Sequence, residues 1–432
     1  MLALCLLPVG MYAQAPLSLG EALARALENN FGIQIADRQV DLAEAQNTWG
    51  QAGRWPSLDL GVAGSFFRSG NPGAFVPGRE NINTELRMNW TLFDGFRVSA
   101  NKARFDLLEA QSSGNAAVVV ENTLQAVILG YYNVVLSSAQ IEVLVEVLRN
   151  SRERLDYEQY RQQIGSGSTF EVLQFRTAWL ADSANLLNQQ LLVRDAVRTL
   201  NLLMGEDEDA AFRLTDTLPP VFQPYSWEVL RGRLLDQNNS LRNQAMTLAL
   251  REQETRIAAA AYYPSLAVNS SVVYSAGRLL RRNFDPETSA DMPTIPTTFN
   301  AFDFTAGFAL SFNLFDGGNR NRTMEIARIN EHIAQTQQAE LEQRLLNELR
   351  TQWDSYEVRR QLYALQSEAL LAAEAQLAQA ADRYRNGLIN AFDYRTLQLQ
   401  YLNTSWSYLR ARWDASAAET ELIRLTGGLL RP

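Results

Sequence analysis

Histidine and cysteine are almost absent from this chain of 432 residues. His332 is the only histidine and Cys5 the only cysteine. Zinc sites of cysteine and histidine are therefore excluded, as are Ser-His and Cys-His catalytic pairs and a disulfide framework. The sequence also lacks a nucleotide-binding loop or any other catalytic constellation. We predict that the chain is not an enzyme and holds no cofactor and no metal ion.

Net positive charge is lacking as well. The formal net charge is −9, with 39 Lys and Arg residues against 48 Asp and Glu residues. Nucleic-acid binding needs a basic face for phosphate contacts, so we predict no nucleic-acid partner. Beyond the N-terminus we find no apolar run long enough for a transmembrane helix. Any segments that cross a membrane should therefore be strands.

The N-terminus has the pattern of a secretory signal peptide over residues 1–15. An apolar stretch precedes Ala13-Gln14-Ala15, which is a small-residue cleavage pattern. No Lys or Arg precedes Arg25, so the basic segment that normally opens a signal peptide is missing. We therefore expect a signal peptide with a truncated start; the alternative is an apolar N-terminal tail.

Two stretches of alternating residues end at the same short motif. From Ile82 to Leu92, and again from Phe302 to Leu314, one face is mostly apolar and the other mostly polar. This period of two is typical of a strand. Leu-Phe-Asp-Gly follows at 92–95 and recurs 222 positions later at 314–317, and a long helical pattern comes after each copy. The chain is thus a tandem repeat, and its strand-to-helix junctions are marked by Asp94, Gly95, Asp316 and Gly317.

Each repeat is predicted to contain short helices, a pair of strands and a long helical hairpin broken by glycine at its tip. The first repeat covers residues 16–205, with strands at 57–69 and 82–94 and a tip at 164–170. Residues 206–224 form an acidic linker. The second repeat covers 225–428, with strands at 265–276 and 302–316 and a tip at 386–392.

Local signals add detail to this plan. Ser18 and Glu21 have the spacing of a capping box, which should open a helix ending near residue 30. A second helix is predicted over 32–54, and Ser226 and Ser240 should open the short helices of the second repeat. Gly, Pro and Asn content predicts exposed loops at 68–81 and 276–301.

The number of strands limits the architecture. The predicted strands reach the ~9–11 residues that a tilted bilayer-spanning strand needs. Four strands cannot close a barrel, so we predict an oligomer, with about eight strands in a dimer or about twelve in a trimer. A conducting pore favours the larger number. The helices, ~100 Å long at ~1.5 Å per residue, should project into the periplasm. The alternative is a soluble β-domain whose strands face a core.

In combination these motifs resemble the TolC-like outer membrane efflux protein family. The resemblance covers nearly the whole mature chain and rests on Pro-Ser-Leu at 56–58 and 264–266, on the Leu-Phe-Asp-Gly exits, and on the tips, of which 384–393 is the most specific. It implies a membrane α+β fold with internal duplication. Each chain would supply four transmembrane strands to a trimeric 12-stranded β-barrel that a long periplasmic α-helical barrel continues.

The resemblance also implies partners and a location. It predicts a homotrimer in the outer membrane, in contact with outer membrane lipid and with a large periplasmic portion. A periplasmic adaptor protein and an inner-membrane transporter of RND or ABC type should bind to it. The implied function is the exit duct of a tripartite efflux system that conducts substrates passively. The alternatives are an outer membrane duct for type I protein secretion and, in another class, a soluble periplasmic coiled-coil scaffold.

A periplasmic aperture at the helical tips is the site that the resemblance implies. By position in the family's motif, Asp393 is implied as an acidic ring residue, with Glu171 as its counterpart in the first repeat, and Tyr384 as a residue that helps hold the closed state. Gly165 and Gly387 are the tip glycines.

This chain departs from the family pattern near the second tip. Ile389 stands where a family member has arginine, and Thr396 stands where it has a second acidic residue. Helix capping is a competing interpretation of the ring acids, because each lies three residues after Ser168 or Asn390, at capping-box spacing.

Overall fold

The computed structural model describes residues 15–68, 78–219, 222–280, 283–284, 291–292 and 296–430. Apart from Ala15, the predicted signal peptide lies outside the described residues. The helices of the described ranges are α1 Leu19–Asn29, α2 Phe31–Gln46, α3 Arg97–Gln163, α4 Thr169–Met204, α5 Trp227–Gln237, α6 Asn239–Ala259, α7 Asn319–Arg385 and α8 Ala391–Leu425. The strands are β1 Ala15–Leu17, β2 Ser57–Arg68, β3 Gly78–Asp94, β4 Phe212–Leu214, β5 Ser265–Leu280, β6 Asn283–Phe284, β7 Asp291–Met292 and β8 Pro296–Ser311.

The chain divides into two compact units. The helical unit comprises residues 1–39, 113–243 and 339–432, and the sheet unit comprises residues 40–112 and 244–338. The long helices α3 and α7 contribute residues to both units.

The sheet unit holds an antiparallel sheet in the order β2-β3-β5-β8, with β2 and β8 at its edges. Directly opposed residues share a face, so each set of four forms a row across the sheet. One row is Leu60, Leu86, Val272 and Phe304, and the next, on the other face, is Gly61, Glu85, Val273 and Asp303. One face is therefore mainly apolar and the other mainly polar. The apolar face is exposed within the chain, since Leu60 is 72% and Phe304 66% exposed.

The strands have different limits from those predicted. β3 begins at Gly78, β5 continues to Leu280 and β8 begins at Pro296, so the predicted loops at 68–81 and 276–301 are partly strand. Pairing explains this difference, because the register of β3 against β5 continues without a break from Ile82 to Gly78. At the other end β8 stops at Ser311 rather than 316, since its partner β5 begins opposite that residue.

Two other predicted segments need correction. The helix predicted over 32–54 ends at Gln46, and turns follow. The Asn47 side chain stabilises this end by donating to the carboxylates of Asp106 at 2.9 Å and Glu109 at 2.5 Å. The predicted linker 206–224 contains β4, which pairs in parallel with β1.

Asparagine, rather than the predicted Ser240, caps the second helix of the second repeat. The Asn238 side chain accepts a hydrogen bond from Leu241 N at 3.0 Å, as Asn30 does from Gly32 N at 2.9 Å in the first repeat. Each amide also donates across the unit, from Asn238 to Leu425 O at 2.9 Å and from Asn30 to the Leu203 carbonyl at 2.8 Å. In both repeats, therefore, one asparagine side chain caps the second helix with its oxygen and binds a distant helix end with its nitrogen.

The core of the helical unit explains an unexpected property of α3. This helix contains a stretch that is apolar enough, by length and composition, to cross a membrane. The expectation of no such run was therefore wrong. Val127 and Tyr131 of α3 are fully buried and pack with Ala22, Leu200 and Met204. Packing against neighbouring helices accounts for the buried third of this apolar stretch.

Candidate aperture and strand-to-helix junctions

The two hairpin tips turn at glycines with left-handed backbones. Gly165 has φ 77° and Gly387 has φ 69°, and a Cβ on either would meet no atom within 4 Å. Glycine is therefore favoured there by the backbone conformation alone. Gly167, which the sequence interpretation did not single out, has a different reason: a Cβ there would lie 2.6 Å from the backbone nitrogen of Gln162.

Tyr384 connects α7 to α3 inside the tip. Its hydroxyl donates to Glu158 Oε1 at 2.7 Å, and the two residues are 6% and 0% exposed. Arg161 Nη1 lies 3.2 Å from the other carboxylate oxygen of Glu158. Burial and, next, the hydrogen bond to Glu158 raise the pKa of the Tyr384 phenol. The tyrosine therefore stays neutral and keeps donating. Sequence reasoning missed Glu158, because its partner is far away along the chain.

Aromatic rings surround this hydrogen bond. The ring centroid of Tyr384 lies 5.9 Å from that of Phe175 on α4 and 5.5 Å from that of Tyr394 on α8. The Arg154 guanidinium on α3 lies 4.9 Å from the Tyr394 ring centroid. Such ring and cation–π contacts each stabilise by about 0.5–1.5 kcal/mol. All four helices of the tip thus meet around one tyrosine.

The two proposed ring acids remain near the surface. Asp393 is exposed and Glu171 is partly exposed. Asn390 accepts from Asp393 N at 2.9 Å, whereas Ser168 accepts from Phe170 N at 3.1 Å instead of from Glu171. Ser168 and Asn390 are therefore the N-caps that the sequence predicted, with Glu171 and Asp393 in the first turns of α4 and α8, but only Asn390 accepts the hydrogen bond of a capping box.

A complete capping box, with bonds in both directions, forms between Ser18 and Glu21. It is the one that the sequence predicted at the start of α1. At the helical tips, the cap side chains accept backbone hydrogen bonds as at α1. Among the bonds of the described residues, however, neither Glu171 nor Asp393 accepts the return bond from the cap backbone that Glu21 accepts.

A buried ion pair lies beyond the tip and was not found from the sequence. Asp182 on α4 is fully buried, and Arg395 on α8 reaches its carboxylate with two bonds of 2.6 and 2.8 Å. Ser151 on α3 donates to the same carboxylate at 2.5 Å. The available signal was a seven-residue spacing on α4, where Phe175, Asp182, Gln189 and Ala196 are all buried.

The two strand-to-helix junctions differ in how they cap the next helix. Asp316 accepts hydrogen bonds from the backbone nitrogens of Gly318 at 3.0 Å, Asn319 at 3.1 Å and Arg320 at 2.9 Å. The bond from Arg320 leads the causes that lower the pKa of Asp316. Asp94 accepts only from Val98 N, at 3.3 Å, among the bonds of the described residues.

Backbone conformation at the junctions also differs between the repeats. Gly95 and Gly317 both have left-handed backbones, with φ 72° and 66°. Phe96 follows with φ 69°, where the second repeat has Gly318 with φ 78°. A non-glycine residue in this region is uncommon. The Phe96 ring packs edge-on against the ring of Phe93, with centroids 5.3 Å apart.

Comparison with known proteins identifies the class to which these features belong. The sequence profile described as "Outer membrane efflux protein" matches residues 22–206 and 230–428. The chain belongs to this family. The "Cation efflux system protein CusC" of Escherichia coli K12 is 22% identical over 418 residues, which cover 94% of this chain and 85% of CusC.

Solved structures share the fold. A crystal structure of CusC aligns with a TM-score of 0.75 and 19% identity over 95% of this chain and 92% of that chain. The outer membrane channel CmeC of Campylobacter jejuni aligns with a TM-score of 0.76 and 17% identity over 95% and 85%. The predicted family, the membrane α+β fold and the outer membrane location with a large periplasmic portion are thus confirmed. At family level these proteins are efflux channels, not enzymes.

Proposed function

We propose that this protein is the exit duct of a tripartite efflux system, working as a homotrimer. Substrates would pass passively from an inner-membrane transporter of RND or ABC type, through a periplasmic adaptor, to the exterior. One observation carries this proposal: the chain holds an open sheet whose edges are β2 and β8 and whose apolar face is exposed.

An open sheet cannot remain alone in a bilayer, because unpaired backbone groups cost several kcal/mol each in hydrocarbon. Pairing of β8 with β2 of the next copy would satisfy both edges, and three copies would give about twelve strands. The apolar face would then contact lipid. The polar face carries Asp59, Glu85, Arg87 and Asp303 and would line water.

Neighbouring residues on β3 offer a matched test of this orientation. Met88 lies on the apolar face and Asn89 on the polar face. Lysine on the lipid face costs up to about 2–4 kcal/mol at the bilayer midplane. We expect Met88→Lys to reduce the amount of oligomer in the outer membrane fraction, and Asn89→Lys to leave it nearly unchanged. Equal effects would contradict the orientation.

The assembly itself is tested with the purified protein. In detergent, light scattering should give the mass of a trimer, and the same sample should form steady conducting channels in planar bilayers. A monomer, or recovery in the soluble periplasmic fraction without detergent, would exclude the duct and favour a coiled-coil scaffold.

For the aperture we propose that the tips close the periplasmic entrance. Tyr384 would hold the closed arrangement, Gly165 and Gly387 would form the turns, and three copies each of Glu171 and Asp393 would surround the axis. Crowded carboxylates favour cations and hinder anions.

Single-channel recording tests the acidic ring. Glu171→Ala combined with Asp393→Ala should raise conductance and weaken block by multivalent cations. Asp354→Ala is the matched control, because it removes an exposed carboxylate from α7 outside the tip. Unchanged conductance and block in the double variant would remove the ring from the proposal.

Efflux is favoured over type I protein secretion by the relatives, since CusC is named as a cation efflux protein. Isolation of the solubilised complex from cells, with identification of the co-purified adaptor and transporter, separates the two. A transporter dedicated to a secreted protein would support the alternative.

A further inference from the structure

Among the paired strand residues that the structure describes, charged side chains occur at only one end of the apolar sheet face. Four successive rows of directly opposed residues on this face begin at Leu58, Leu60, Val62 and Gly64 of β2. None of these rows contains a charged residue on any of the four strands. The next two rows contain Arg68, Glu80 and Arg278. These rows are Phe66, Glu80, Arg278 and Thr298, followed by Arg68, Gly78, Leu280 and Pro296.

This charged end is the one farther from the helices. The charged rows lie where β3 and β8 begin. The other ends of these strands, at Asp94 and Ser311, lead to α3 and α7. Because the helices belong to the periplasmic portion, the charged rows lie on the external side of the membrane strands. We call Arg68, Glu80 and Arg278 the outer rim.

The length of the apolar face places the outer rim at headgroup depth. On β8 this face extends from Leu310 to Asn300, which at ~3.4 Å per residue is ~34 Å along the strand. A tilt of ~40° reduces this to a height of ~26 Å, close to the ~25 Å apolar band of outer membrane barrels. The rim follows directly, where lipid headgroups begin.

Both arginines of the rim are available to a ligand from the lipid side. Arg68 and Arg278 are exposed, and Glu80 is partly exposed. The Arg68 guanidinium lies 5.1 Å from the Phe66 ring centroid, so its stem and head lie against the end of the apolar face. Guanidinium groups bind phosphate with paired hydrogen bonds and are more weakly hydrated than an ammonium group.

A hollow adjoins the rim on the same face. It has a volume of about 440 Å³. Its lining combines small and larger apolar residues, two rim residues and three residues at intervening positions: Gly64, Ala276, Ile82, Phe66, Glu80, Arg278, Ser65, Asn81 and Gly277. Such a depression can receive part of an acyl chain while the headgroup meets the arginines. Apolar shape and charge thus coincide in one place.

We propose that the outer rim is a binding site for a phosphorylated glycolipid of the outer leaflet, with Arg68 and Arg278 binding its phosphates. Glu80 faces the same headgroup and opposes phosphate binding, so it limits the affinity. The inference rests on the proposed duct only in that the apolar sheet face must contact lipid.

The test uses the detergent-solubilised oligomer and native mass spectrometry to count bound lipids. The probes are diphosphorylated lipid A, the same lipid after removal of its phosphates, and phosphatidylglycerol. We expect diphosphorylated lipid A to bind most tightly. Arg68→Gln and Arg278→Gln should each weaken this binding roughly tenfold. Glu80→Gln should tighten it, and Arg87→Gln on the polar face is the matched control that should change nothing.

Four results would overturn the inference. These are equal binding of the dephosphorylated lipid, equal binding of phosphatidylglycerol, an equal loss in Arg87→Gln, or weaker binding in Glu80→Gln. The last would mean that the three side chains only pair with one another. Planar-bilayer conductance of the same samples distinguishes failure of the lipid-site proposal from failure of the duct proposal. A conducting wild type without phosphate preference refutes the lipid site alone, whereas absence of conductance refutes the duct.

Discussion

Gly95 and Gly317 hold the same position in the repeated junction motif, yet their surroundings differ. A Cβ on Gly95 would lie 2.4 Å from the carbonyl oxygen of Ala260 and 2.9 Å from Cβ of Tyr263. A Cβ on Gly317 would meet no atom within 4 Å. Both backbones are left-handed, so the conformational cost of alanine is shared and only the contacts differ.

The expected costs follow from these two contributions. A left-handed backbone costs alanine about 1–2 kcal/mol, and the reduced freedom of the unfolded chain offsets about 0.4–1 kcal/mol. Gly317→Ala should therefore destabilise by about 0–1.6 kcal/mol. Gly95→Ala adds overpacking of about 1–3 kcal/mol, because the backbone near Ala260 must move. That difference corresponds to roughly 5- to 150-fold in the folding equilibrium constant.

The assay should measure a rate, since large oligomers rarely unfold reversibly. The detergent-solubilised protein is held at a fixed elevated temperature, and the folded fraction is followed with time. Gly95→Ala should have a clearly shorter half-life than Gly317→Ala. Gly61→Ala, on β2 with no atom near its Cβ, is the control that should behave as wild type.

Equal half-lives for Gly95→Ala and Gly317→Ala would refute the reasoning, and so would a shorter half-life for Gly317→Ala. Either result would mean that the contact between the first junction and the segment around Ala260 does not limit the residue at Gly95. The two glycines would then share a purely conformational role.

Three further substitutions test the helical unit. Tyr384→Phe leaves the buried Glu158 without its hydroxyl donor and should cost about 1–3 kcal/mol, measured as a shorter half-life on heating. Asp182→Asn should cost about 3–5 kcal/mol, and its combination with Arg395→Leu should cost less than the sum of the single changes, as a double-mutant cycle would show. Burial raises the pKa of Glu121, so its charged form opposes folding at neutral pH. Glu121→Gln should therefore stabilise at pH 8, with a gain that shrinks as the pH falls toward the ordinary range of a carboxyl group; a constant gain would contradict this.

Much of the fold could be predicted because its signals are local. Alternation along β3 and β8 and the absence of proline from α3 and α7 depend only on nearby residues. Strand limits depend on a partner instead: Gly78 and Pro296 are strand residues because β5 extends beside both β3 and β8. Local composition indicated loops there, and long-range pairing prevailed.

Caps and ion pairs show the same limit. Ser240 was a reasonable cap by preference, but Asn238 also donates to Leu425 O, a contact that spans 187 positions. At the tip, Tyr384 was singled out through its motif, whereas the seven-residue spacing on α4 marks Asp182 as buried without indicating that Arg395 is its partner. Side chains that meet across distant helices leave only a faint trace in the sequence of each helix.

The matched helix lengths restrict how this duct can change during evolution. α3 and α7 both have 67 residues, and α4 and α8 have 36 and 35. Two added turns in one helix would shift its tip by about 11 Å and separate pairs such as Tyr384 and Glu158. Insertions there should persist only when all four helices lengthen in step. The segments that join the strands need not match in length between the two repeats. Between Pro264 and Leu314 the second repeat carries 14 residues more than the first repeat has in the corresponding region. Family members should therefore vary freely in external loops and in coordinated steps along the periplasmic helices.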